Sequence, residues 1–128
     1  MRLYARWLFG LAAGANLAVA AAMSLGQGWF QSSLGLDPIG GTNAVLVDLA
    51  AELIAMFGVG YAWIALDPRQ RALIWLGAGG KAAAVALVLV GALANPHLWR
   101  FFELISGDLA FAALFLDFLR RTRSYAWT

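Results

Sequence analysis

The sequence predicts an all-α integral membrane protein: a bundle of four transmembrane helices with both termini cytoplasmic. Three observations predict it. Hydrophobic residues make up 62 % of the 128 positions, against about 45–50 % in soluble domains. Charged residues make up 12 %, about half the soluble average of roughly 25 %. The apolar residues also fall into four stretches of the length, about 20 residues, that a helix needs to cross a bilayer. These features exclude a soluble globular domain and a disordered chain. The whole of residues 1–128 reads as one domain, with no internal repeat and no linker.

The first span covers about 7–25. Arg2, Arg6 and a small-residue run near its end give it the look of a signal peptide. It continues apolar through Leu25, so the expectation is a retained helix that acts as its own insertion signal. Residues 27–43 hold Gly28, Gly35, Pro38, Gly40 and Gly41, which excludes one regular helix. Trp29 and Phe30 are expected at the headgroup level. The second span covers about 44–66. Asp67-Pro68-Arg69-Gln70-Arg71 is a tight turn, with Asp67 placed to cap the next helix and Pro68 to sit in its first turn. The third span covers about 72–94. Its Val-Ala-Leu-Val-Leu-Val run at 85–90 would suit a strand in water, but lipid offers its amides no partner, which requires a helix. Asn95-Pro96-His97 is expected to repeat the capping arrangement before the fourth span, about 98–119. Short turns favour contact between the second and third spans and between the third and fourth.

Orientation follows from the basic residues. Arg2, Arg6, Arg69, Arg71, Arg120, Arg121 and Arg123 fall on one side, and Arg100 alone on the other. By the positive-inside rule the seven mark the cytoplasmic face, N-in and C-in, as in a multi-pass protein of a bacterial inner (plasma) membrane. Trp7, Trp63 and Trp75 would form an inner aromatic belt, Trp29 and Trp99 an outer one. The basic residues therefore partner the lipid bilayer and point away from nucleic acid. So strong a bias also argues against a dual-topology exporter.

The informative residues are polar groups inside the spans, where a central charge costs at least ~2.5–3.5 kcal/mol. Glu52 and Lys81 lie roughly 12–14 Å into their spans, at about 1.5 Å per residue. Asp108 is as deep from the other side, and Asn16 is near the middle of the first span. One residue from each span thus meets at the midplane: Asn16, Glu52, Lys81 and Asp108. Asp48, Arg100 and Glu103 form a shallower outer layer, in which Arg100 is expected to pair with Glu103 or Asp48. Asp117 lies within reach of Arg120 or Arg121. Lys81 shares its helix face with Gly77, Ala78 and Ala84, and small residues let another helix approach. Its ammonium is expected to reach Glu52, Asp108 or both. Two readings fit these charges equally: ion pairs that hold helices in register, and a site for a ligand or proton. Gly10 and Gly14 form a helix-packing motif, within the bundle or between protomers.

With no cysteine and one histidine, the chain offers no disulfide, thiolate metal site, cysteine nucleophile or c-type haem attachment. No metal and no cofactor is expected. Gly77, Gly79 and Gly80 lie inside a span, which excludes a phosphate loop.

The motifs Gly58-Val59-Gly60-Tyr61, Asp67-Pro68-Arg69, Gly77 to Lys81, and Gly107-Asp108 before an aromatic helix ending in Arg120-Arg121 span the last two thirds of the chain. In that order they resemble the small four-helix bacterial inner-membrane proteins grouped as DoxX-like. The resemblance implies a four-helix fold. It also implies the settings in which some members occur, quinone-linked respiration or thiol-stress complexes. This chain has neither cysteine nor a histidine inside a span.

The leading expectation for function is binding or transport of a small amphipathic ligand, or of protons, through the midplane cluster. The alternative is a non-enzymatic accessory subunit of a larger membrane complex, or a homo-oligomer joined through small-residue faces. An enzyme using Asp48, Glu52 and Glu103 as acid and base ranks last, because no nucleophile or metal motif accompanies them.

Overall fold

A computed structural model describes residues 1–124. The described residues form helices joined by short turns and loops, with no strand. Helix α1 runs Arg2–Leu25, α2 Gln27–Leu34, α3 Thr42–Leu66, α4 Arg71–Ala94 and α5 Trp99–Arg121, with a single 3₁₀ turn at Pro96–Leu98. Helices α1, α3 and α4 are long and apolar enough to cross a membrane. The fourth expected span, α5, is 23 residues long but interrupted by charge. The valine-rich run at 85–90 in α4 is helical, as the length of its apolar stretch requires.

Many large apolar side chains point outward. Trp7, Leu11, Leu46, Leu53, Met56, Trp63, Trp75, Leu87 and Leu93 are all exposed. A monomer in water rarely shows so continuous an apolar surface, whereas lipid tails cover it at no cost. The outer surface and the composition therefore agree with three helices long and apolar enough to cross a membrane.

The 27–43 connection is not one regular helix, as its glycines and proline require, whereas Phe30 and Asp67 depart from expectation. Residues 27–34 form the short helix α2, ended by Gly35 in the left-handed region (φ 64°), with the Leu36 amide donating back to the Gln31 carbonyl at 3.0 Å. Phe30 lies in the core against Ala20, Met23 and Ala51, not at a headgroup surface, because α2 folds back over the helix ends. Trp29 on the opposite face is exposed. Asp67 does not cap α4, whose N-cap is Gln70 without a side-chain bond. It organises the turn instead, accepting from the Arg69 amide at 3.3 Å, Arg69 Nε at 2.7 Å and Gln70 Nε2 at 2.9 Å. These bonds hold the half-buried Asp67 carboxyl down at about 2 and raise the Arg69 guanidinium above its ordinary range. Asn95 caps the 3₁₀ turn at Pro96–Leu98, its side chain accepting from the His97 amide, but not the fourth long helix as expected: the N-cap of α5 is Leu98, without a side-chain bond.

The start of α1, the 67–70 turn and the last turn of α5 share one end of the molecule, the terminal end. The α2 segment and the 96–98 turn share the other, the loop end. Helices associate closely in two pairs, α1 with α3 and α4 with α5. Contact between α3 and α4 is slight, although a four-residue turn joins them. The buried side chains form two cores. The core at the terminal end takes residues from all four long helices: Phe9, Tyr61, Ile64, Ile74, Phe115 and Phe118 are its largest members. The core at the loop end is built from α1, α2 and α3, and Phe101 brings α5 to its edge.

Candidate intramembrane polar sites

The polar centre depends first on close packing. A Cβ on Gly58 would stand 3.0 Å from the Leu17 side chain and 3.3 Å from the Ala13 carbonyl, so α1 and α3 approach over a bare glycine. That approach lets Asn16 Nδ2 donate to the Ile54 carbonyl of α3 at 3.1 Å. Its Oδ1 is left facing α4. On α4, a Cβ at Gly77 would stand 2.6 Å from Tyr61 Cε1, so the Tyr61 ring fills the space the glycine leaves. One turn further along, Lys81 is 5 % exposed.

The Lys81 ammonium has three neighbours of different kinds. It donates to Asp108 Oδ1 on α5 at 2.5 Å and to Asn16 Oδ1 on α1 at 3.0 Å. Its Nζ also lies 5.4 Å from the Tyr61 ring centre and 5.3 Å from that of Phe111, within cation–π range. Among the described residues no buried side-chain nitrogen or oxygen lacks a partner. An ammonium so placed is compensated by one carboxylate, one amide oxygen and two aromatic rings, which is what a buried charge needs to persist.

The sequence-predicted cluster is therefore divided. Asn16, Lys81 and Asp108 meet. Glu52 does not join them: it faces outward on α3 and lines a groove of about 330 Å³ between α1 and α3. Asp48, Ser24, Leu17, Leu25 and Ala55 share the lining. Neither this groove nor a second one, at Arg2, Arg6 and Asp67–Arg69, is lined by any of Asn16, Lys81 or Asp108.

The outer layer is divided too. Asp48 Oδ1 accepts from Ser24 Oγ at 3.1 Å and from Gln27 Nε2 at 3.0 Å. Arg100 and Glu103 are exposed, and among the described residues no ion pair joins them to each other or to Asp48. At the terminal end Asp117 pairs with Arg121 at 2.6 Å, the expected one-turn bridge. Arg71, which counts in the sequence only as a topology charge, ties α4 to α5. Its guanidinium donates to the Leu119 carbonyl at 3.0 Å and to Thr122 Oγ1 at 3.0 Å. Gly10 and Gly14 face open space on the outside of α1, so they serve no packing within the bundle.

Sequence reasoning missed the aromatic side of the Lys81 site. Nothing in the spacing of Tyr61 or Phe111 distinguishes them from ordinary lipid-facing or core rings. Ser24 and Gln27 were legible in principle, as two polar residues three apart at a span end. Comparison with protein-family models, with curated proteins and with solved structures found no match.

Proposed function

We propose that the protein binds a small amphipathic cation in the α1–α3 groove, from within the membrane. The observation that carries this reading is Glu52. It is an exposed carboxyl in the interior of an apolar helix, with no basic group bonded to it among the described residues. A carboxylate there is costly unless a cation or a proton meets it, which is why intramembrane acids mark sites. Asp48, one turn away, adds a second carboxylate at the mouth, while Leu17, Leu25 and Ala55 offer apolar wall. The groove thus matches a ligand with a positive head and an apolar body. In this reading the Lys81–Asp108 pair, already satisfied by protein groups, maintains the scaffold.

The test is equilibrium binding of tetraphenylphosphonium, an apolar monovalent cation, to the detergent-solubilised protein. Saturable binding is expected, weakened about tenfold or more in Glu52→Gln by loss of its charge partner. Binding that is absent, or unchanged in Glu52→Gln, would overturn the reading.

The same proposal includes topology. The α5 helix is the fourth span of a DoxX-like bundle in a bacterial inner membrane, with both termini cytoplasmic. Support comes from where its charges lie. Arg100 and Glu103 are at the loop end, and Asp117, Arg120 and Arg121 at the terminal end. Asp108 alone is central, and Lys81 is bonded to it. At about 1.5 Å per residue its length is roughly 35 Å, enough to cross.

One observation favours a second reading, an accessory subunit of a membrane complex. The Gly10 and Gly14 face of α1 is open to close approach by another helix. Native mass spectrometry after mild extraction tests it: a stoichiometric partner lost in Gly10→Leu with Gly14→Leu would place this reading first, and an isolated chain would remove it.

A further inference from the structure

The two cores divide the molecule unequally. At the terminal end one core takes residues from α1, α3, α4 and α5, and its rings lock the helix pairs together. Phe9 of α1 meets Phe115 and Phe118 of α5 at 4.7 and 5.2 Å, and Tyr61 of α3 meets Phe115 at 5.1 Å. At the loop end the core belongs to α1, α2 and α3, and no residue of α4 takes part. There, among the described residues, the seam between the pairs is spanned by one aromatic contact, Phe30 on Phe101 at 6.3 Å. Between these ends sits Lys81. Its bond to Asp108 lies within the α4–α5 pair, while its bond to Asn16 crosses to α1. Asn16 in turn holds α3 through the Ile54 carbonyl. From the midplane to the loop end, the Lys81–Asn16 bond is the side-chain hydrogen bond that crosses the seam among the described residues.

We infer that the molecule opens at its loop end, the α1–α3 and α4–α5 pairs parting about the aromatic core at the terminal end, with the Lys81–Asn16 bond as the latch. The chemistry makes the latch cheap to release. When Asn16 lets go, Lys81 keeps the Asp108 carboxylate and the Phe111 ring of its own helix pair, so no bare charge is left in the bilayer. Water or a polar headgroup entering the parted seam supplies the acceptor that Asn16 gave up. Opening brings the Lys81–Asp108 pair into contact with the loop-end compartment while the terminal end stays sealed. The device stands independently of the groove reading, since the groove lies within the α1–α3 pair.

Paired spin labels test it, and the absence of cysteine makes their placement unambiguous. One pair, Val45→Cys with His97→Cys, spans the seam at the loop end. The other, Arg6→Cys with Arg120→Cys, spans it at the terminal end. All four positions are exposed. In vesicles, the loop-end pair is expected to show a longer-distance population that rises about fivefold when Asn16→Leu removes the acceptor, the effect of one ordinary hydrogen bond. Lys81→Met removes the donor and should produce the same shift, while the terminal-end distance stays single and narrow in every case. A loop-end distance unmoved by either variant would overturn the inference. So would a shift with Asn16→Leu alone, which would mean only that α1 has loosened from α3. Equal broadening at both ends would overturn it as well, because a loose bundle has no hinge.

Discussion

Lys81 is buried by two kinds of compensation that differ in what their loss does. Removing one partner of a buried ion pair leaves a bare charge, at a cost of roughly 3–5 kcal/mol, whereas removing both leaves only a change in packing. Asp108 is 29 % exposed, which places the cost here at the lower end. Lys81→Met and Asp108→Leu are therefore each expected to destabilise the fold by about 3 kcal/mol, and the double variant by clearly less than their sum. Reversible unfolding in mixed detergent micelles measures all three, and strict additivity would show that the pair does not act as one. Gly77 and Gly79 give a second contrast on the same helix. A methyl at Gly77 collides with the Tyr61 ring, while one at Gly79 meets nothing within 4 Å. Gly77→Ala is expected to cost about 1–3 kcal/mol by overpacking. Gly79→Ala should cost nothing and gain up to ~1 kcal/mol in helix propensity. Equal effects in the same unfolding assay would mean that Tyr61 does not pack as described.

The helices meet through elements with specific jobs. Arg71 opens α4 and clasps the last turn of α5 through Leu119 and Thr122. Arg71→Lys keeps the charge that sets topology but not the planar fork that makes several bonds at once. Insertion should be unchanged, and amide exchange at Thr122 and Arg123 should quicken; unchanged exchange would show that the clasp holds nothing. The 67–70 turn responds to pH through Asp67, whose carboxyl is held at about 2, below its ordinary 3.8. For an acid so depressed, the stabilisation is fully present above pH 3.8 and is lost as pH falls towards 2. The Arg69 amide should thus be protected from exchange at pH 5 and lose that protection near pH 2, after correction for intrinsic exchange. In Asp67→Ala the protection should be low at both values. A profile in Asp67→Ala that matched the original chain would assign the turn to its backbone alone.

At the scale of the molecule, labelling from the two sides counts the membrane crossings. Single cysteines at Val45 and His97 should react with an impermeant reagent from one side, and cysteines at Arg69 and Arg123 from the other. Reaction of Arg123→Cys from the same side as His97→Cys would mean that α5 lies along the surface and that three helices cross. Much of the rest was legible beforehand. The apolar stretches at 7–25, 44–66 and 72–94 correspond to α1, α3 and α4, because hydrocarbon admits backbone only as helix and so length and composition suffice. Asn16, Lys81 and Asp108 could be brought together by depth alone, since a charge in lipid must find a partner and few exist. Depth failed for Glu52 because it gives height along a helix and not direction around it.

The amino-acid sequence by itself determined that the chain is helical, which helices are long and apolar enough to cross a membrane, and which residues are too polar to face lipid unaided. Those are properties of each segment against its solvent. Only the tertiary structure decided that α1 pairs with α3 and α4 with α5, that Phe30 is core, and that Lys81 rests on Asn16, Asp108, Tyr61 and Phe111 while Glu52 faces out. These depend on the rotation of one helix against another. In lipid that rotation is set by the fit of small and large side chains, Gly58 against Leu17 and Gly77 against Tyr61, because the apolar surroundings favour no face over another.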